Sequence, residues 1–364
     1  MNKKILFFSR DPGGTNVIAP VIVFFKKNER YRLSVWGQDF ALKHFPKFGL
    51  KVNNFNTIKQ PTELKKITFL LETEKPNLIL TATSTEQIEK KIWECAKKLK
   101  IPSIAILDQW MNLELRFSKY NLKDLSKHHQ KSDLKFVPNY IFVADSLTKR
   151  RLVKIGISGT KVCVTGNPYF EHLSKKKVAK NLTLNNYKHI VFVSEPFQET
   201  YGNNNPWGYD EISIFAHLLR SLAKIRVKNQ RVLVTIKFHP KCNTKKYDTL
   251  IESFQSSNIM IEKNKSIHYW NLLSSANVIC GMSSMLLIES SLKNLPILSI
   301  QIGLKKDNPF YLTQIGVHES ILDIYSLDNK IQDILSDSYV QSNLHININN
   351  HGIQNSVKKI KEIL

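Results

Sequence analysis

Cysteine is scarce in this chain of 364 residues, with four copies: Cys95, Cys163, Cys242 and Cys280. None has a CxxC partner, which argues against both a zinc site and a disulfide framework. No apolar run reaches the roughly 18 residues that a membrane-crossing helix needs. The opening MNKKILFFSRDPGG offers only ILFF as an apolar stretch, too short for the h-region of a secretion signal. Acidic residues are few beside basic ones, 30 against 53, for a net charge of +23. Even so, no basic block with interleaved aromatics and no RNP, zinc-finger or helix-turn-helix signature stands out, so no specific nucleic acid partner is expected. No GxGxxG fingerprint follows a strand, so dinucleotide binding is not supported. No DxD-type pair marks a strand end, so no metal is required. These absences predict a cytosolic, reduced protein. Its positive surface reflects lysine-rich composition or suits acidic partners: nucleotides, anionic glycans or an anionic lipid surface.

Apolar residues make up 42% and aromatics 10% of the chain, enough for two cores and against wholesale disorder. Short runs rich in Ile, Val, Leu and Phe alternate with amphipathic stretches. KILFFS, RLSVWG, NLILTAT, SIAIL, YIFVA and VCVTG read as strands of one domain over residues 1–170. HIVFVSE, RVLVTIKF, IMIEK, ANVICG and PILSI read as strands of a second over residues 186–345. Between strands, STEQIEKKIWECAKKLK places Ile88, Ile92, Cys95, Ala96 and Leu99 on one helical face. Cys163 and Cys280, inside apolar runs, are expected to be buried thiols. Continuous apolar strands separated by helices imply parallel sheets covered on both faces. The polar, lysine-rich segment 170–188 reads as a linker, and residues 346–364 as a closing helix. The expected fold class is α/β, with two Rossmann-like parallel-sheet domains facing a cleft.

Ligands of such sheets bind beyond the carboxyl ends of the strands, and the chemistry-bearing residues cluster there. After the first strand, Asp11, Pro12, Gly13 and Gly14 form a turn, with Thr15 and Asn16 as helix caps. The glycines permit close backbone approach by a ligand, although a tight turn needing positive φ would use them equally. Asp108 follows SIAIL, with Gln109, Trp110 and Asn112 as sugar-contact types. Gly166-Asn167-Pro168 reads as turn punctuation. Ser194 and Glu195 close HIVFV and open a long loop. Lys237, His239 and Pro240 end RVLVTIKF, where a protonated histidine can steady a departing phosphate. Gly281, Ser283 and Ser284 end ANVICG at a helix start, with Glu289 farther along it. Hydroxyls and free backbone N–H groups there make an anion cradle, and Glu289 can accept from ribose hydroxyls.

With these motifs the chain resembles the GT-B-type glycosyltransferases. Within them it resembles the group of bacterial sialyltransferases, capsular polysaccharide (Kdo and polysialic acid) transferases and CDP-glycerol glycerophosphotransferases. In those families a His-Pro pair and a later Ser-Ser pair hold the donor phosphate. Here these are His239-Pro240 and Ser283-Ser284. RDPGG resembles the acidic loop that supplies the sialyltransferase base, with Asp11 as its one acid and Pro12 in place of the second. The resemblance implies a metal-independent glycosyltransferase of surface polysaccharide biosynthesis, needing no cofactor beyond its nucleotide-sugar co-substrate. It would move a sugar from a CMP- or CDP-linked donor to a glycan or lipid-linked acceptor, in the cytoplasm or peripheral to an anionic inner membrane. Asp11 or Asp108 would be the base, and His239 would act on the leaving group. Gly13, Gly14, Ser194, Glu195, Lys237, Pro240, Gly281, Ser283, Ser284 and Glu289 would surround the donor. A second resemblance is to UDP-N-acetylglucosamine 2-epimerases, carried by VTGNPYFEHL and GMSSMLLIES. A nucleotide- or glycan-binding protein without catalysis is the third reading.

Overall fold

Ile5, Leu6, Phe7 and Phe8 are all fully buried, so the strand that carries them must be covered on both faces. The computed structural model describes residues 3–124, 127, 131–176, 187–225, 231–264, 269–336, 338 and 351–364. It divides into two units, Met1–Lys175 with Asn347–Leu364, and Lys176–Ile346. The first unit holds β1 (Lys3–Ser9), β2 (Tyr31–Gly37), β3 (Asn53–Asn54), β4 (Leu78–Thr81), β5 (Ser103–Ile106), β6 (Tyr140–Val143) and β7 (Val162–Val164). They form one parallel sheet in the order β3-β2-β1-β4-β5-β6-β7. The second unit holds β8 (Tyr187–Val193), β9 (Arg231–Lys237), β10 (Ile259–Asn264), β11 (Val278–Gly281) and β12 (Ile297–Ser299). They form a parallel sheet in the order β10-β9-β8-β11-β12. Both are doubly wound. Strand order reverses between β1 and β4 in the first sheet and between β8 and β11 in the second, and a ligand crevice is expected at such a switch point.

The fold class expected from the sequence, two Rossmann-like parallel-sheet α/β domains, is the one observed. Eleven strands fall on the apolar runs. The twelfth, β3, consists of two asparagines with no apolar signal. Cys280 is buried as expected, but Cys163 is only partly so, because β7 is an edge strand. The linker expectation for 170–188 is cut short by a helix running Pro168–Ser174, capped by the Asn167 side chain; residues 177–186 lie outside the described residues. The helix Gly352–Ile363 packs in the first unit, against the helices Pro12–Lys26 and Pro168–Ser174. There Ile353 N–H donates to Glu171 Oε2 at 2.6 Å. Among the described residues no helix is long and apolar enough to cross a membrane.

The turn expected at 11–14 is instead the start of a helix. Asp11 is the extended N-cap and Pro12 the first helical residue, where a missing N–H costs nothing. Neither Gly13 nor Gly14 has positive φ, so neither is there for a left-handed turn. Both are there for closeness. A Cβ on Gly14 would sit 2.4 Å from Ala82 Cβ, and one on Gly13 would sit 2.6 Å from Asp108 Oδ2. In an ordinary helix interior Gly→Ala stabilises by about 1 kcal/mol. Here the expected sign is reversed: Gly14→Ala should destabilise by about 1–3 kcal/mol through overpacking, read as a lower urea midpoint at unchanged m-value.

Candidate active site

In the first unit the residues after β4 and β5 meet around one guanidinium. Arg116 Nη1 donates to Thr83 Oγ1 at 2.6 Å and to Asp108 Oδ1 at 3.0 Å, and Nη2 donates to Gln109 Oε1 at 3.1 Å. Thr83 Oγ1 also donates to Asp108 Oδ1 at 3.0 Å. The Arg116 and Asp108 side chains are 5% and 4% exposed. Burial raises the Asp108 pKa, and Arg116 and Thr83 oppose that rise. Asp11, whose side chain is 30% exposed, pairs with Arg10 Nη1 at 3.1 Å, and Arg10 Nε pairs with Asp39 at 2.9 Å. Gly13 lies against Asp108, so the two chain segments share one corner. Trp110, a candidate sugar contact, is buried and stacks on Phe170 at 6.0 Å.

A second buried carboxyl stands at the same strand ends. Glu89 is 1% exposed, in the first turn of the helix Ile88–Lys98. Ser84 Oγ, just past β4, donates to Glu89 Oε2 at 2.6 Å. Glu89 Oε1 is buried and has no hydrogen-bond partner among the described residues. Burial pushes the Glu89 pKa up to about 7; the Ser84 hydrogen bond and Arg10 oppose the rise, and the Asp11 charge adds to it. Beside it Lys90, also buried, donates Nζ–H to the Tyr120 carbonyl at 2.7 Å.

In the second unit three adjacent strand ends carry the candidates. Glu195, two residues past β8, accepts from the Met282 and Ser283 backbone N–H groups at 3.1 and 2.8 Å and from Ser283 Oγ at 3.0 Å. The expected anion cradle at Ser283 is thus filled by an internal carboxylate, itself pushed up to about 7 by burial. Ser284 Oγ caps the following helix by accepting from Leu286 N–H at 3.2 Å, and Gly281 is the last residue of β11. His239 Nδ1 accepts from Lys241 N–H at 3.1 Å. Its Nε2 therefore carries the proton and is turned into a donor. Desolvation, then Lys241 and Lys237, bring the His239 pKa down to about 4, so the ring is a neutral donor and not the protonated group the sequence implied. Pro240 follows in an exposed turn closed by Cys242 N–H to His239 O at 2.9 Å. Burial lowers the Lys237 pKa, and its ammonium lies 6.0 Å from the Tyr269 ring, whose hydroxyl donates to Glu289 at 3.2 Å. The Ser194 hydroxyl points into the core, 2.7 Å from Tyr247 OH and 3.2 Å from Cys242 Sγ. Nearby, Glu199, Glu211 and Cys242 bring three ligand atoms within 4.8 Å of one another. The Lys246 ammonium already bridges the two carboxylates, so a cation is built in.

His239 and Ser283 lie past β9 and β11, which flank β8. With strands about 4.8 Å apart, their ends stand about 10 Å from each other, with Glu195 between. Sequence reasoning missed Arg116, Thr83, Ser84 and Glu89. A loop arginine eight residues after Asp108 carries no local signal, and Glu89 sits in a pattern that reads as the polar face of a helix.

Two doubly wound parallel sheets with charged residues at the switch points define a GT-B-type α/β protein. The family model described as UDP-N-acetylglucosamine 2-epimerase matches residues 134–364, more than half of the chain. The chain belongs to the UDP-N-acetylglucosamine 2-epimerase family. The solved UDP-GlcNAc 2-epimerase of Neisseria meningitidis bound to UDP-GlcNAc is 17% identical, with a TM-score of 0.65 over 99% of this chain and 98% of that one. That of Methanocaldococcus jannaschii is 15% identical, with a TM-score of 0.66 over 99% of each chain. Anabaena Alr3699/HepE in complex with UDP and glucose is 13% identical, with a TM-score of 0.62 over 100% of each. At these identities the likeness is one of fold. No curated protein is similar to the chain by sequence.

The family overturns the transferase expectation. The chain is not a sialyltransferase, a capsule transferase or a glycerophosphotransferase, and the glycosyltransferase reading falls with them. The physical reason is that a His-Pro and a Ser-Ser at strand ends are, in sequence, a chemistry suited to an anion, and say nothing of what happens to a sugar attached to it. The glycan or lipid-linked acceptor and the membrane contact were corollaries of transfer and lose their basis.

Glu89 gives a stability test. Its folded pKa of about 7 lies above the ordinary carboxyl value of 4.5. The unfolded chain releases this proton first as pH rises. The cost to the fold therefore grows between those two values and is complete above the upper one, at about 3 kcal/mol. Glu89→Gln should remove it. Urea titrations should find the variant equal to the parent near pH 4 and more stable near pH 8; equality at both would show that the carboxyl is not held neutral.

Proposed function

We propose that the chain inverts C2 of a UDP-linked N-acetylglucosamine, with UDP-N-acetylmannosamine or its hydrolysed equivalent as product. The observation that carries this reading is the family match over residues 134–364. The Neisseria relative, solved with UDP-GlcNAc bound, supports the substrate class.

The chemistry sets the requirements. C2 of a glycoside has no neighbouring carbonyl to acidify its hydrogen. Losing that proton demands a leaving group on C1, and the nucleoside diphosphate is one. The proton must then return on the opposite face as the C1–O bond re-forms. The protein must therefore hold a diphosphate that departs without escaping, and must keep carboxyls able to gain and lose protons near neutral pH. In the second unit, His239 Nε2–H, the Ser284 hydroxyl and the Lys237 ammonium are donors for the diphosphate. Gly281, Ser283 and Pro240 shape those strand ends, Glu289 accepts from ribose, and Glu195 and Ser194 brace the backbone that carries the donors. In the first unit, Asp108 is the proton-handling carboxyl. Asp11 sets the charge beside it, and Gly13 leaves the room that the Asp108 carboxyl occupies. Carbon–hydrogen chemistry of this kind uses no acceptor.

The test is incubation with UDP-GlcNAc alone in D2O, followed by proton NMR. The expected result is an N-acetylmannosamine product with deuterium at C2, and a drop in kcat of about 10²–10⁴-fold in Asp108→Asn. UDP should raise the Tm more than CMP, CDP or GDP, and His239→Ala should remove most of that rise. Unchanged UDP-GlcNAc, with UDP binding intact, would leave a nucleotide-binding protein without catalysis.

A further inference from the structure

Inversion at C2 needs two proton stations, because the proton leaves one face and returns to the other. Asp108 is one. The same strand ends contain a second carboxyl that the mechanism above does not use. Glu89 is 1% exposed, and its Oε1 has no hydrogen-bond partner among the described residues. A buried carboxyl with an empty oxygen is costly for the fold unless it serves a purpose. Its other oxygen accepts from Ser84 Oγ at 2.6 Å, within the range of a strong O–H to carboxylate bond. The Ser84 oxygen also accepts from Glu86 N–H at 3.2 Å. One lone pair of that hydroxyl is then left over. Ser84 lies three residues past β4, at the switch point between β1 and β4, and is 3% exposed, as Asp108 is. The two follow β4 and β5, which are neighbours in the sheet.

We infer that Ser84 and Glu89 form a two-residue proton relay, the second station of the epimerisation, with Ser84 touching the sugar and Glu89 acting through it. The inference rests on the epimerase reading and adds residues to it. In delivery, Glu89 passes its proton from Oε2 to Ser84 Oγ as the Ser84 hydroxyl proton moves to C2. The C1=C2 π pair becomes the new C2–H bond, and an oxygen lone pair of the nucleotide diphosphate forms the C1–O bond. Glu89 is left ionised. In removal every movement reverses, and exchange with solvent resets the pair. A carboxyl with a pKa of about 7 can hold the proton in one half of the cycle and lack it in the other. Arg10 and Asp11 face it from the end of β1, and Lys90, which Glu86 also faces, from its own segment. None of these hydrogen-bonds to the carboxyl, so Ser84 is its one described route for a proton.

The experiment measures kcat, KM and the pH profile for UDP-GlcNAc in the full chain and in Ser84→Ala, Glu89→Gln, Glu89→Asp and the Ser84→Ala/Glu89→Gln double variant. The expected result is a loss in kcat of about 100-fold or more in Ser84→Ala and in Glu89→Gln, with KM within about three-fold. The double variant should be no worse than the weaker single, because the two act as a unit. Glu89→Asp should recover about ten-fold over Glu89→Gln, and the wild-type limb near pH 7 should vanish in Glu89→Gln. Variants that keep wild-type kcat, lose only KM, or lose activity multiplicatively in the double would overturn the relay and leave the epimerase standing. A wild-type chain that leaves UDP-GlcNAc unaltered overturns both. Glu89→Gln is expected to be the more stable protein, so its inactivity cannot be put down to unfolding. Should it fail to fold, Ser84→Ala with its pH profile decides.

Discussion

One buried guanidinium organises the chemistry-bearing end of the first sheet. Arg116 reaches Thr83, Asp108 and Gln109, which are contributed by the ends of β4 and β5. Taken away, it would leave an uncompensated carboxyl in the interior, a loss of about 3–5 kcal/mol for such pairs. Much of the local architecture follows from keeping it in place. The 113–120 segment that carries it is tied back to the Ile88–Lys98 helix through Lys90 Nζ and the Tyr120 carbonyl, and through Gln87 Nε2 and the Lys119 carbonyl. The helix after β1 must then follow Pro12 with two residues that have no side chain, because Asp108 and Ala82 already fill the space a Cβ would take.

The second unit solves the same problem with different residues. Its internal anions are Glu195, satisfied by two backbone N–H groups and a hydroxyl, and Glu211, satisfied by Lys246. Glu195 ties the segment after β8 to the one after β11, and Glu211 ties the segment after β8 to the one after β9. Glu199 joins them by accepting from Asn243 N–H at 2.7 Å, which fixes the turn that follows His239 and Pro240. The donors left unspent, His239 Nε2–H and the Ser284 hydroxyl, stand out against neighbours that are already committed. In each unit the ordering of charge at the strand ends comes from side chains far apart in the chain, brought together by the parallel sheet.

The strands were legible because burial on both faces forces uninterrupted apolar runs, as in Ile5–Phe8 and Ile190–Val193. The positions of Asp11, Asp108, His239 and Ser283 at strand ends were legible for the same reason: once the strands are known, their carboxyl ends are known. What could not be read was commitment. Whether Ser283 faces a ligand or Glu195 depends on a partner 88 positions away, and whether Asp108 is free or paired depends on Arg116 in a loop of no regular pattern. Glu89 and Lys90 escaped because a charged pair on an amphipathic helix reads as solvated face, whereas both are buried. The ranking of the transferase above the epimerase, the second resemblance and the one that the family match favours, went wrong for a deeper reason. Residue types suited to phosphate are indifferent to whether a sugar is handed on or rearranged, so motif spacing pointed to a ligand class and left the transformation open.

The return of residues 352–364 to the first unit has a consequence for biosynthesis. The helix that covers Pro12–Lys26 and Pro168–Ser174 is translated only after every residue of the second unit. A nascent chain must therefore carry an incomplete amino-terminal half, with bare helix flanks and an uncapped Glu171, through the entire synthesis of its other half.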